Sequence, residues 1–245
     1  MRNLPNRLPI PTATQTQLVH ETSEIMALQT MEERKAQADS RYSKERSKEW
    51  FTPITGALKS ADVRCMYCSS DSPSHVEHYR PRARFPELTF DYENYLLSCS
   101  ICNNYKGSRF PLDDQGNPLL INPFDDNVWD YFDIDPTFGR LIPKPNLRAK
   151  TTCTIIKINS EDIQKIRVHR LNGAKPLNLG LRAEAETAIT QYRSGTLNQS
   201  QLRDAIQAMI EAPFQTDVAD YFLNGSGRTI DPFKTLLELA GETTS

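Results

Sequence analysis

No apolar run in this 245-residue chain approaches the roughly 18 residues that would read as a membrane-spanning helix, which excludes a helical membrane protein. The opening stretch, Met1 to Pro11, lacks the apolar core of about 7–15 residues that marks a secretion signal, so the chain is expected in the cytoplasm. Cysteine is scarce, with five in the whole chain. Cytoplasmic thiols are kept reduced, so a disulfide framework is excluded as well. Neither sign of charge dominates. The 29 Lys and Arg against 31 Asp and Glu leave a net charge of -2, which excludes a uniformly basic nucleic-acid binder and turns attention to local runs. Internal repeats and low-complexity tracts are absent too, so the chain is neither a solenoid nor a linker.

What is present is enough apolar residue, 38% of the chain at a mean hydropathy of -0.56, to bury a core beneath a wet surface. The length admits one domain or two, and the pattern favours one small core with helical additions. Three stretches follow: an N-terminal arm and helices over 1–60, a cysteine-bearing core over 61–125, and a hairpin with a C-terminal helical region over 126–245.

Residues 1–12 are Pro-rich and read as an extended arm. From about Thr16 to Trp50 the pattern is helical, with Leu18, Ile25, Leu28 and Met31 on the apolar stripe. Thr30-Met-Glu-Glu33 has the form of a capping box, so a fresh helix is expected there. The polar run Arg34 to Lys48 reads as a solvated helix face rather than a nucleic-acid arm. Thr52-Pro53 is expected to interrupt the helix. Further on, residues 113–118 read as a turn and Leu119 to Phe124 as a short strand. Phe132 to Asp135 and Gly139 to Ile142 read as a hairpin. Cys153, among the β-branched residues of Thr151 to Ile158, is expected as a buried thiol on a strand. Beyond Ser160 the chain reads as helices, with stripes at Ile163, Ile166, Leu171 and at Leu202, Ile206, Met209, Ile210. Gly225 and Gly241 suit helix C-caps.

The most specific feature is a pair of Cys-x-x-Cys knuckles, Cys65-Met-Tyr-Cys68 and Cys99-Ser-Ile-Cys102. Four thiolates so arranged close a tetrahedral structural zinc site, although an iron–sulfur cluster or a disulfide redox pair uses the same residue types. The interval between the knuckles is longer than the ~15–20 residues of an ordinary zinc ribbon, so something folded occupies it. Inside lies His75-Val-Glu-His78-Tyr-Arg-Pro81. An imidazole with a pKa near ~6.5 can take a proton from water, and a carboxylate can hold a hard cation. Neighbouring residues on a strand face opposite ways, so Glu77 and His78 can cooperate only at a bend or strand end, for which Pro81 gives a reason. Arg80, Arg82, Arg84, Lys106 and Arg109 surround this segment and are candidate phosphate contacts.

In this order and spacing, residues 65–106 resemble the HNH endonuclease family, the ββα-metal nucleases, in the form whose hairpin is stapled by zinc. The family pattern of Cys-x-x-Cys, Asp/Glu-His-x-x-Pro, Asn, a second Cys-x-x-Cys, His or Asn, then Lys is filled by Cys65, Cys68, Glu77, His78, Pro81, Asn94, Cys99, Cys102, Asn103 and Lys106. The resemblance implies an α+β fold in which a small ββα-metal core with structural zinc is flanked by N-terminal helices and a C-terminal helical region. It implies His78 as general base, Asn94 as the residue bridging the ββ loop, and Glu77 with Asn103 as holders of Mg²⁺ or Mn²⁺. Lys106 is implied as a phosphate contact or as a charge that neutralises the helix after Cys102. Glu77 stands where many members have Asp, and Asn103 where the final His often sits, which implies an all-oxygen metal site suited to hard cations. His75 is open between a third ligand, a phosphate contact and a structural role.

The phrases Glu87 to Asn94, Ser98 to Gly107 and Leu120 to Asp126 are also similar to HNH proteins encoded beside ATPases in bacterial anti-phage loci. That resemblance implies cleavage of DNA, from phage or host, in company with an ABC/SMC-like ATPase subunit that docks on the helical flanks. Two other readings stay open at this point: a catalytically silent, zinc-stapled nucleic-acid-binding or adaptor module, and an RNA- or tRNA-directed nuclease.

Overall fold

The computed structural model describes residues 1, 3–4, 6–70, 73–135, 140–161, 163, 183–211 and 216–242. These form an α+β protein of many short helices with two small two-stranded sheets. Among the described residues no helix is long and apolar enough to cross a membrane. The chain parts into two compact units. One comprises Met1, Asn3–Asp126 and Lys150–Ile158, and the other Asn127–Ala149 and the described residues from Asn159 onward.

The first unit opens with helices α1 (Thr12–Met26) and α2 (Met31–Glu45). The arm before them is held down: Arg7 donates to the carbonyls of Glu93 and Tyr95, each at 2.7 Å, and Ile10 is buried. The capping box forms at the start of α2. Thr30 Oγ1 accepts from Glu33 N–H at 3.2 Å, and Glu33 Oε2 accepts from Thr30 N–H at 3.0 Å. Pro53 does not interrupt a helix as expected. The break comes earlier, at a 3₁₀ turn over Glu49–Phe51, and Pro53 lies in the first turn of α3 (Thr52–Ala61), where its missing N–H has no helical partner to lose.

Strand β1 (His75–His78) pairs antiparallel with β2 (Tyr95–Ser98), with His78 opposite Tyr95 and His75 opposite Ser98. Helix α4 (Ser100–Lys106) follows at once, so the interval between the knuckles is a ββα hairpin. The turn at 113–118 is present, with Asp113 Oδ1 accepting from the N–H groups of Gln115 and Asn117. The strand expected over Leu119 to Phe124 is not formed. Side chains take its backbone groups instead: the Tyr79 hydroxyl donates to Leu120 O, and Ile121 N–H donates to Thr152 Oγ1. With those groups satisfied there is no ladder for a partner strand to complete.

Cys153 lies on helix α5 (Leu147–Ile156), not on a strand, and is half-buried. The β-branched run is overridden locally. Asn146 Oδ1 accepts from Arg148 N–H at 2.8 Å as a helix start, and Thr154 Oγ1 donates to the carbonyl one turn back at Lys150.

In the second unit β3 (Phe132–Asp135) pairs antiparallel with β4 (Arg140–Pro143), while Gly139 and the residues between them lie outside the described set. Helical residues 183–193 (α6) precede α7 (Gln199–Glu211), α8 (Thr216–Asn224) and α9 (Phe233–Ala240). Leu202, Ile206 and Met209 bury the stripe of α7, whereas Ile166 and Leu171 of the earlier stripe lie outside the described residues. Gly241 caps α9 in the left-handed conformation at φ +81°. Gly225 follows α8 without a positive φ. Space is what demands a glycine there, since a Cβ would stand 2.8 Å from the Tyr221 carbonyl oxygen.

Candidate active site

The two knuckles converge at the base of the hairpin. The first follows α3 and is pinned to β2 by the bond from Met66 N–H to Leu97 O, at 2.8 Å. The second forms the junction of β2 and α4, where Cys99 Sγ accepts from Cys102 N–H as the helix cap. Cys65, Cys68, Cys99 and Cys102 are all buried, and their sulfurs lie within 4.8 Å of one another, with Cys68 and Cys99 at 3.7 Å. A tetrahedron of sulfurs ~2.3 Å from a central zinc has edges of about 3.8 Å. The donor set and its spacing therefore fit zinc, and the sulfur separation is far too long for a disulfide, which needs ~2.05 Å.

Beyond the knuckles, Glu77 and His78 are the last two residues of β1, opposite Leu96 and Tyr95, and both are buried. The His78 ring is packed edge-on against Tyr42 of α2, centroids 4.5 Å apart, and against Tyr95 of β2 at 5.2 Å. Its Nε2 lies 2.9 Å from the carbonyl oxygen of Thr89. A carbonyl can only accept, so Nε2 carries the proton and Nδ1 holds the free lone pair. Burial pulls the His78 pKa down to about 3, against the Thr89 bond, which raises it, and the imidazole is neutral at physiological pH.

Glu77 Oε1 is 2.5 Å from the ammonium of Lys106, which also donates to His78 O at 2.7 Å. Burial pushes the Glu77 carboxyl up and the Lys106 ammonium down, while each partner's charge pulls the other back toward its ionised form. Lys106 is fully buried, so its ammonium serves the hairpin interior through Glu77 and His78 O and does not face solvent. Asn94 bridges the loop that follows β1. Its amide nitrogen donates to Arg80 O at 2.9 Å and to Leu88 O at 3.0 Å, and its Oδ1 accepts from Arg80 N–H at 2.7 Å.

A pocket of about 220 Å³ opens over this group and is lined by His75, Glu77, His78, Arg82 and Asn103, together with Tyr42 and Ser43 of α2 and its C-cap Arg46. Of the five basic residues singled out in the sequence, Arg82 alone lines it. Arg82 donates through Nε to Asp39 and stacks its guanidinium 4.9 Å over Tyr42. Arg80 lies over the rings of Phe85 and Phe110, Arg84 donates to Phe110 O, and Arg109 Nε donates to Lys106 O. The sequence reading missed the α2 residues and Thr89. The signal available for the former was Tyr42, the one aromatic residue in the polar run from Arg34 to Lys48.

Glu77 and Asn103 both line this pocket, and both side chains carry oxygen, the donor type that suits a hard divalent cation. Four converging thiols fix a ββα hairpin that carries a neutral histidine oriented by a backbone carbonyl and a neighbouring carboxylate in one pocket. Comparison with known proteins agrees: residues 65–109 match the family described as HNH endonuclease, and the chain carries an HNH endonuclease domain at that position. Beyond the domain, the chain is 29% identical over 110 residues to Septu protein PtuB of Bacillus thuringiensis. That match covers 43% of this chain and 40% of the relative's length.

Proposed function

We propose that this protein is a metal-dependent HNH endonuclease that hydrolyses DNA phosphodiester bonds. The observation that carries the reading is the orientation of His78, whose Nε2 is committed to Thr89 while Nδ1 has no hydrogen-bond partner among the described residues, in a pocket shared with Glu77 and Asn103. In this reading His78 Nδ1 takes a proton from water, the water oxygen forms a bond to phosphorus, and the bond to the 3′ oxygen on the opposite side breaks. The leaving oxygen is protonated from solvent. The negative phosphate arriving beside His78 favours the imidazolium that forms. Mg²⁺ or Mn²⁺ held by Glu77 and Asn103 supplies Lewis-acid stabilisation of the phosphate and leaving oxygen when bound. Lys106 keeps Glu77 ionised in its buried position, Asn94 fixes the loop behind His78, and the tetrathiolate zinc closes the hairpin that carries them.

The similarity to Septu protein PtuB supports a narrower role: the nuclease effector of a Septu-like anti-phage system, cytoplasmic, working with an ABC/SMC-like ATPase of the PtuA type. A net charge of -2 is consistent with nucleic-acid affinity being supplied in part by such a partner. Incubating the purified chain, alone and with the ATPase, with DNA and RNA in parallel tests the substrate class. Cutting of DNA that needs added Mg²⁺ or Mn²⁺ supports the reading, preferential cutting of RNA moves it to the RNA-directed alternative, and metal-insensitive binding without scission moves it to the silent module.

A further inference from the structure

Helix α2 carries a feature that the chemistry above leaves unused. Asp39, Tyr42, Ser43 and Arg46 fall at i, i+3, i+4 and i+7, which puts them on one face of the helix. Tyr42 fixes where that face points. Its ring is 3% exposed, and its hydroxyl donates to Val76 O of β1 at 3.0 Å. Ser43 and Arg46 are thereby set at the rim of the pocket whose interior holds Glu77 and His78, and both are exposed.

The two arginines of this pocket differ. Arg82 already has an anion, since its Nε donates to Asp39. The Arg46 guanidinium has no hydrogen-bond or ion-pair partner among the described residues, while its backbone N–H makes the closing helical bond to Tyr42 O at 3.1 Å. The backbone is therefore anchored and the fork is free. A guanidinium held this way matches the planar pair of oxygens on a phosphate, and a hydroxyl one turn earlier supplies a further donor.

We propose that Arg46, with Ser43 as second donor, binds a backbone phosphate next to the one hydrolysed, which makes α2 a wall of the substrate-binding surface. The proposal rests on the phosphodiesterase reading of the pocket. It changes the meaning of the polar run from Arg34 to Lys48, one face of which is substrate-facing and the rest solvated.

The test uses the 245-residue, zinc-loaded chain on a His78→Ala background, so that the DNA stays uncut while binding to a fluorescent DNA duplex is measured across a salt series. Adding Arg46→Ala is expected to weaken binding about tenfold at low salt, the order of one charge-assisted hydrogen bond. It should also reduce the slope of log affinity against log salt by about 0.9, the mark of one lost phosphate contact. Arg46→Lys should keep the slope, and Lys44→Ala, exposed on the same helix outside the pocket, should leave both quantities unchanged. Matched thermal melts exclude unfolding as the cause. An unaltered slope in Arg46→Ala, or an equal loss in Lys44→Ala, overturns the proposal while leaving the nuclease reading standing. If the parent protein shows no salt-dependent binding either alone or with the proposed ATPase supplied, the nucleic-acid reading falls and this proposal with it.

Discussion

The imidazole of His78 and the carbonyl of Thr89 are joined at 2.9 Å through Nε2, and this single bond settles which ring nitrogen is basic. Thr89 O also accepts from the Tyr95 hydroxyl at 2.7 Å, so one carbonyl orients both the imidazole and the aromatic that packs against it. Its position depends in turn on the loop between the two strands, which Asn94 holds.

Asn94→Ala removes three hydrogen bonds to the loop backbone and leaves the carbonyls of Arg80 and Leu88 and the N–H of Arg80 without that partner. A loss of about 1–3 kcal/mol in urea unfolding is expected, the scale of buried polar groups left unpaired. Cleavage should fall further than stability does while zinc content stays at one per chain. Loss of zinc in this variant would mean that Asn94 supports the knuckles rather than the loop.

Lys106→Met strands the buried carboxylate of Glu77, and breaking a buried pair from one side costs about 3–5 kcal/mol. The double variant Glu77→Gln/Lys106→Met should recover a large part of that stability without recovering cleavage. Additive losses in the double-mutant cycle would contradict the coupling between the two groups.

Cys99→Ser withdraws one of the four sulfurs while leaving a hydroxyl that can still cap α4. Elemental analysis should find one zinc per chain in the parent and a clear deficit in the variant, with a lowered Tm. Iron in the parent in place of zinc would contradict the assignment of the metal.

The capping box gives a pH signature. Hydrogen bonds from Thr30, backbone first and then side chain, hold the Glu33 pKa below its usual value. For a carboxylate depressed on folding, the stabilisation is present above the unfolded pKa near ~4.3 and is lost as pH falls through the lower folded value. Thr30→Ala should cost about 1 kcal/mol at neutral pH, and the gap between variant and parent should narrow on acidification below about pH 4. A gap that widens with acid would refute the linkage.

The cysteine cluster, the ββα hairpin and the residues proposed for the site were legible because they are tied by short, fixed spacings. Each Cys-x-x-Cys knuckle, Glu77-His78 with Pro81, and Asn103 with Lys106 sit within a turn or strand whose geometry the intervals dictate. What those intervals do not encode is the partner each side chain finds across the fold. Arg80 and Arg84 lie against Phe85 and Phe110, and Lys106 is drawn inward by Glu77, because ring faces and a buried carboxylate are brought there by long-range packing. Local propensity failed at Cys153 for the same reason. Threonines that favour a strand in isolation found bonds on a helix, at Ile121 N–H for Thr152 and at Lys150 O for Thr154. The approach of α2 to the pocket hangs on one tyrosine, which no periodicity argument singles out.

The most direct test compares the 245-residue chain with its His78→Ala variant on DNA in the presence of Mg²⁺ or Mn²⁺, with the proposed ATPase supplied to both. Both proteins should carry one zinc and stay folded at the assay temperature, with His78→Ala melting lower because its buried ring is lost. The account predicts that the parent cuts and that His78→Ala falls by at least about 10²-fold, the lower end for loss of a general base. Equal cutting by the two folded, zinc-loaded proteins would contradict it.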